Sequence, residues 1–365
     1  MNDIVIREAQ IQLIRKHAAE AEQSRQLSPE VLQLIYEQQW LKIMEPPVCG
    51  GLFRSLPAIV RLFETLAYAD GNVGWCVNLG AGANLFSGYM NAGTAKTIFS
   101  PATTWCAGSG AISGRAVKTT GGWHLSGRWK YASGSAYASH FTANGYLFDK
   151  QNKAITENGE PAFRSFIFPA ELVQIIDTWH TSGLRASSSN DFAVEDIFIP
   201  EEQAFTLTKP STFAKEAIFN FPFDALAVIN MACMPTGMAL HFLELFEQLM
   251  DSKTPLHSDK KLGQQPLIRQ QFEQCQSLLQ TTRTDMYEAL DKAWQPFSEG
   301  HSAGTDELNA LKTKARRAAQ VALEIVHQLF PFCGMTIIYQ DAELNKVWRD
   351  ISVAGQHYLL SPMAR

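Results

Sequence analysis

The hydrophobic period of this chain changes twice, near residues 101 and 216, and the order helix, strand, helix restricts its fold more than any single motif. In the first stretch Ile4, Ile11, Ile14 and Ala18 repeat at near-helical spacing. Ser28-Pro29-Glu30 supplies an N-cap, a proline at the first helical position and an early acid. Pro46-Pro47 and Gly50-Gly51 break the pattern, and Leu56 to Ala69 resumes it. Gly71 to Met90 is apolar and rich in small residues, which suits burial or a close approach of backbone to a ligand. From 101 to 215 short alternating runs take over. Ala116 to Thr119, a Thr120-Gly121-Gly122 turn and Trp123 to Tyr131 read as a β-hairpin. Further runs follow at Phe141 to Phe148, Phe163 to Phe168, Leu172 to Trp179 and Phe192 to Ile199, with Pro169 and Pro200 closing two of them. Strands without intervening helices predict an antiparallel barrel or sandwich. After 216 the helical period returns in four segments, Leu226 to Met250, Leu267 to Leu290, Leu308 to Leu329 and Glu343 to Leu360, the number needed for a bundle. The predicted fold is therefore α+β with three domains: helical 1–100, β 101–215 and a helical bundle 216–365.

Length supports that division, since 365 residues exceed one ordinary core. With 46% hydrophobic and 18% charged residues the chain is globular rather than disordered. A net charge of −5 calls for neither a nucleic-acid nor an anionic-membrane partner. Six cysteines without a CxxC pair argue against a zinc ribbon or thioredoxin-type motif, and buried reduced thiols are expected. No N-terminal stretch has the layout of a signal peptide, and no run approaches 18 uninterrupted apolar residues, so the expected compartment is the cytoplasm. Gly108-Ser109-Gly110-Ala111-Ile112-Ser113-Gly114 nearly matches a dinucleotide fingerprint, but strand-type sequence follows it where a helix is required.

Three segments carry a resemblance. Gly122-Trp123-His124-Leu125-Ser126-Gly127-Arg128-Trp129-Lys130-Tyr131-Ala132-Ser133-Gly134 resembles the β-domain hairpin of acyl-CoA dehydrogenases, and more closely that of their relatives, the two-component flavin monooxygenases. Asp177 to Phe192, which contains Gly183-Leu184-Arg185-Ala186-Ser187-Ser188-Ser189, and Val347-Trp348-Arg349-Asp350 agree in kind and order. The resemblance implies a flavoprotein oxidoreductase with FAD or FMN. It places the flavin against Trp129, Tyr131 and Ser133, with Cys106, Ala107, Gly108 and Ser109 facing the ring and Arg185, Ser187 and Ser189 nearby. Without the resemblance, Trp129 and Tyr131 read as sheet core and Ser133 as the start of a turn. Lys260-Lys261 replaces an arginine of the family before Leu262-Gly263, which leaves FMN open beside FAD.

The same resemblance bears on the reaction. A dehydrogenase of this kind needs a carboxylate base. The family's usual position for it falls in Ile351 to His357, which holds no acid, and the alternative region offers only Asp224. The stretch offers His357 instead, at a place where the resembling monooxygenases have a histidine facing the flavin; by itself His357 reads as a packing residue. His357 and Ser133 are thus the implied catalytic pair. Trp75 and Asn84 are the candidate substrate contacts, with Asn84 standing where a histidine is expected. The leading expectation is the oxygenase component of a two-component monooxygenase, using reduced flavin from a separate reductase and O2 on a small, possibly aromatic, substrate. The alternatives are an acyl-CoA dehydrogenase with its base elsewhere and an inactive flavin-binding homologue. No metal is expected. A homotetramer is, through a bundle face carrying Val321, Ile325, Leu329 and Phe332.

Overall fold

The computed structural model describes residues 5–361 and 363; Ile4, which the spacing places on the first helical face, lies outside the described residues. Among the described residues five helices come first: α1 (Glu8–Ser24), α2 (Pro29–Glu37), α3 (Leu56–Ala69), α4 (Gly71–Asn84) and α5 (Ala92–Phe99). Ile11, Ile14 and Ala18 are the buried face of α1. Ser28 Oγ accepts the Val31 N–H at 3.3 Å and starts α2. Asp70 separates α3 from α4, its carboxylate accepting the N–H groups of Asn72 (2.9 Å) and Val73 (3.2 Å). A Cβ on Gly74 would stand 2.6 Å from the Ala67 Cα, so glycine is what lets these two helices pack backbone to backbone.

Nine strands follow: β1 (Cys106–Thr119), β2 (Gly122–Ala132), β3 (His140–Phe148), β4 (Thr156–Glu157), β5 (Glu160–Pro161), β6 (Phe163–Pro169), β7 (Gln174–Ile176), β8 (Asn190–Pro200) and β9 (Ala204–Phe205). The hairpin closes at Thr119↔Gly122, with Gly121 at φ +82° supplying the left-handed turn residue. Seven strands form one sheet in the order β7-β8-β2-β1-β3-β6-β9, while β4 and β5 make a separate small hairpin. The sheet is mixed, because β3 enters alongside β1 in the same direction. Local alternation marks where strands lie; it does not say which edge a returning strand takes. Two features disturb the ladder near the end of the sheet that faces the helices. Register shifts interrupt β1 between Gly108 and Gly114, and β2 slips against β8 between Trp129 and Ala132, where Tyr131 has φ +68°.

Among the described residues four helices follow the sheet: α6 (Phe223–Ser252), α7 (Pro266–Ser298), α8 (Thr305–Cys333) and α9 (Glu343–Ala354). By length and composition α6 and α8 could each cross a membrane, but 89% of the most apolar window of α6 is buried inside the protein, as befits a central core helix. Val321, Ile325 and Leu329 correct one expectation. They are fully buried in the chain's own core, and Phe332 packs partly against it, so they form no free face for a second copy. Their spacing marks an apolar stripe, and the partner of that stripe proves to be intramolecular. All six cysteines are free and buried.

Arg349 and Asp350 of α9 act as a clamp between layers. Asp350 accepts the Leu184 N–H (2.6 Å) through one oxygen, and the Lys346 ammonium (2.7 Å) and Asn72 amide (3.3 Å) through the other. Lys346 also donates to Asp70 at 2.5 Å. Burial opposes charge on all three groups. The two aspartates nevertheless hold Lys346 well above its usual value, while Asp350 itself is raised by burial. Arg349 bonds Glu22 (2.5 Å) and the Ser182 carbonyl. Gly183 lies so close that a Cβ there would meet the Arg349 carbonyl oxygen at 2.2 Å. These contacts fix the 182–189 loop against α4 and α9.

Candidate active site

A cavity of about 800 Å³ lies between α4, the β1 and β3 ends of the sheet, the β4–β5 hairpin, α6 and the residues that follow α9. Asn78 and Gly82 on α4, and Phe86 in the 3₁₀ turn that follows it, come at four-residue spacing and line it. On α6, Phe223, Leu226, Ala227, Asn230 and Met231 do the same at helical spacing. Ala107, Gly108, Ser109 and Gly110 line it from the bulged part of β1. Space arises here largely from missing side chains. A Cβ on Gly82 or on Gly110 would meet nothing within 4 Å.

Ser133 and His357 both line this cavity. Ser133 is buried, and Trp75 Nε1–H donates to its Oγ at 3.0 Å. Behind it a chain of hydroxyls runs into the wall, Ser133 to Ser189 at 2.7 Å and Ser189 to Ser187 at 2.8 Å. The backbone makes room for this by adopting left-handed φ at Leu184 (+49°) and Ser188 (+46°), so Ser187 and Ser189 sit on a 3₁₀ turn and the strand entry after it. His357 lies past the end of α9, at the N-cap of a short 3₁₀ turn, and not on the helix itself. Its Nδ1 accepts the Leu359 N–H at 3.3 Å, which places the proton of the neutral ring on Nε2 and leaves that nitrogen for a ligand. The Trp75 ring meets the imidazole edge-on, with centroids 5.8 Å apart. Burial holds the His357 pKa below the ordinary 6.5, so the ring is neutral at neutral pH.

Other residues singled out from sequence lie elsewhere. Trp129 is in the sheet core, stacked on Phe192 at 5.1 Å with its Nε1–H given to the Asn144 carbonyl, because alternation along β2 turns it inward. Tyr131 is 65% exposed and packs edge-on against Trp179, outside the cavity lining. Cys106 is fully buried beneath the cavity wall, its thiol pushed up to about 12 by burial. Arg185 donates to the Glu22 carbonyl. Asn84 points away from the cavity. Its amide donates to Glu45 (2.9 Å) and to the Leu41 and Thr104 carbonyls, and its oxygen accepts the Cys106 N–H (3.1 Å). It is a structural knot beside the buried Lys42–Glu45 pair, whose atoms stand 2.6 Å apart. Sequence reading missed Asn78, Gly82, Phe86, Gly110 and Asn230. Four-residue spacing within the small-residue stretch Gly71 to Met90 was the available signal for the first three.

Acids are scarce here. Among the described residues the only carboxylates lining the cavity are Glu157 and Glu160, both exposed on the β4–β5 hairpin. Asp224 lies at the start of α6, paired with Lys312 at 2.8 Å and absent from the lining.

Residues 229–362 match the family model described as the acyl-CoA dehydrogenase, C-terminal domain. Over that C-terminal stretch the chain is similar to the acyl-CoA dehydrogenase family. The chain is 26% identical to indole-3-acetate monooxygenase of Acinetobacter baumannii over 96% of its own length and 89% of the relative's. It is 22% identical to the flavin-dependent monooxygenase oxygenase subunit HsaA of Rhodococcus jostii, covering 97% and 94%. Among solved structures of this fold, XiaF from Streptomyces sp., in complex with FADH2 and glycerol, superposes with a TM-score of 0.86 at 19% identity, covering 96% of this chain and 89% of that one. The 3-HSA hydroxylase from Rhodococcus sp. RHA1 gives 0.87 at 18%, covering 97% and 92%.

Proposed function

We propose that this protein is the oxygenase component of a two-component flavin-dependent monooxygenase that hydroxylates a small organic substrate. The observation that carries the reading is that Ser133 and a neutral His357 both line a cavity whose only acids among the described residues lie at its exposed hairpin. An acyl-CoA dehydrogenase would need a carboxylate at that point to take the α-proton.

The cavity fits a flavin. Its volume lies in the range of sites that hold cofactor-sized ligands, and the open space beside Gly82 and Gly110 is where a flat ring can approach backbone. Ser133, with Ala107 to Ser109 around it, would hold the polar edge of the ring. Bound reduced flavin supplies the two electrons with which O2 yields one oxygen atom for the substrate and one for water. Trp75 N–H can only donate, so Ser133 Oγ is an acceptor in that bond. With the hydroxyl chain oriented from Ser187 through Ser189, Ser133 keeps its own proton for the cavity. Neutral His357 can hold or take a proton on the substrate side. Phe86, Leu226 and Met231 keep water out.

A separate flavin reductase as partner, cytoplasmic location and a homotetramer are parts of this proposal. The exposed Met335, Ile338 and Tyr339 beyond α8 are the apolar surface on which subunits would meet. The test of function is turnover with 18O2, reduced flavin and a panel of aromatic substrates. Label in the product supports the reading; flavin reduction by an acyl-CoA without label in any product overturns it.

A further inference from the structure

His357 stands on residues 355–361, the short run that follows α9, and the bonds inside this run are local. The Gln356 N–H reaches the Val353 carbonyl (3.0 Å), the His357 N–H the Ala354 carbonyl (3.1 Å) and the Leu360 N–H the His357 carbonyl (2.9 Å). Among the described residues one hydrogen bond ties the run to another element. Arg316 of α8 donates its Nε–H to the Leu359 carbonyl at 3.0 Å. Leu359 is also the residue whose N–H is accepted by His357 Nδ1 at 3.3 Å. Both bonds thus meet on one residue, which lines the cavity beside His357. A second contact comes from the same helix: Gly355 packs so closely on Leu323 that a Cβ there would come within 2.3 Å of its Cδ2. Leu323 lies two helical turns beyond Arg316, on the same face of α8. Little else fixes the run. Tyr358 is 66% exposed, and Leu360 is its one buried hydrophobic side chain. Arg317, next in sequence, faces the other way and pairs with Glu324 at 2.9 Å, both side chains largely exposed.

We propose that Arg316 is the positioning residue of His357: through Leu359 it holds the turn in which the Leu359 N–H meets Nδ1, and so decides which ring nitrogen carries the proton toward the cavity. The proposal rests on the monooxygenase reading for the use made of His357, while the contact itself belongs to the flavin-free chain. A neutral imidazole has one N–H, and the nitrogen that accepts a bond is the bare one. With Nδ1 engaged, the proton is on Nε2. Once the Leu359 N–H moves away, nothing selects the tautomer, and Nε2–H is presented only part of the time. Arginine suits the task, because its planar group presents Nε–H in a fixed direction at the end of a long stem. Arg316 touches neither the cavity lining nor the reacting atoms, so its effect passes entirely through the backbone of Leu359.

Two measurements on the full chain test the proposal. In flavin-free protein labelled with 15N-histidine, solid-state 15N spectra at about pH 8, well above the ordinary histidine value, report ring tautomers. The His357 signals are those lost in His357→Phe. The parent chain should show a bare Nδ1 and a protonated Nε2, and Arg316→Met a mixture of both tautomers. Arg316 is half-buried on a helix surface, so Arg316→Met should fold. Arg316→Gln, which keeps an uncharged N–H at the same number of bonds from the backbone, should keep the parent tautomer. Arg317→Met should match the parent chain throughout. In turnover with reduced flavin and 18O2, Arg316→Met should lose roughly 10–100-fold, the cost of displacing a reacting group by about an ångström, while its affinity for reduced flavin stays within about twofold. An unchanged His357 tautomer in Arg316→Met overturns the proposal, as does a loss of turnover that Arg317→Met shares. Absence of labelled product from the parent chain with every substrate overturns the monooxygenase reading instead, and the spectra of the flavin-free chain still decide the role of Arg316.

Discussion

The hydroxyl oxygens of Ser133 and Ser189 stand 2.7 Å apart across 56 residues of sequence. That contact joins the end of β2 to the loop clamped by α9, so the group offered to the cavity is set by three layers of the fold at once. Asp350 is the far anchor, holding the loop through the Leu184 N–H.

Replacing Ser133 with alanine should weaken binding of reduced flavin by about 0.5–1.5 kcal/mol, the worth of one hydrogen bond. It also strands the Trp75 N–H. Anaerobic titration measures the first effect and denaturant unfolding the second. Unchanged flavin affinity would remove Ser133 from the cofactor site.

His357→Ala should lose most hydroxylation while retaining flavin. A histidine that only packs would show lower stability and unchanged turnover per folded molecule. The pH dependence has a definite sign. The folded pKa of His357 lies below the ordinary 6.5, so the unfolded chain binds more protons between those values. Stability should therefore fall as pH drops below about 6.5 toward the folded pKa, and a His357→Phe variant should lose that part of the slope. Unfolding midpoints measured from pH 7.5 down to pH 5 on both proteins check it, about 6.5 being the ordinary histidine value.

Asn84→Ala removes partners from the Glu45 carboxylate and the Cys106 N–H inside the protein. A loss of about 2–4 kcal/mol is expected from groups left unsatisfied in the interior. Turnover per folded molecule should survive, because Asn84 faces away from the cavity. Loss of substrate affinity with unchanged stability would instead restore it to the substrate site.

Lys346→Met leaves Asp70 and Asp350 buried together without their shared cation. Breaking such a cluster costs about 3–5 kcal/mol. The 182–189 loop should loosen as well, which hydrogen exchange at Leu184 would report. A change within experimental error in both measurements would show that the cluster does not hold the loop.

Sedimentation at micromolar concentration tests the homotetramer. A 40.6 kDa monomer as the sole species would refute it, and Met335→Glu with Ile338→Glu should dissociate a genuine assembly.

Local chemistry carried the order of elements. Ser28 and Asp70 cap helices, Gly121 turns a hairpin, and apolar spacing marks the bundle, since each depends on neighbours within a few residues. Ser133 and His357 were legible as candidates only through a resemblance, and the structure places both on one cavity. The sequence could not tell which aromatic of β2 turns into the sheet: Trp129 does, while Tyr131, at the ladder slip, stands outside. Nor could it show that Asn84 spends its amide on a structural knot while Asn230 lines the cavity. Both are buried asparagines in helices, and what separates them is the company that distant segments bring. The cavity itself is a tertiary product. It exists where Gly82 and Gly110, far apart in sequence, leave the same space unfilled, and periodicity records the atoms that are present but not the room that packing leaves between them.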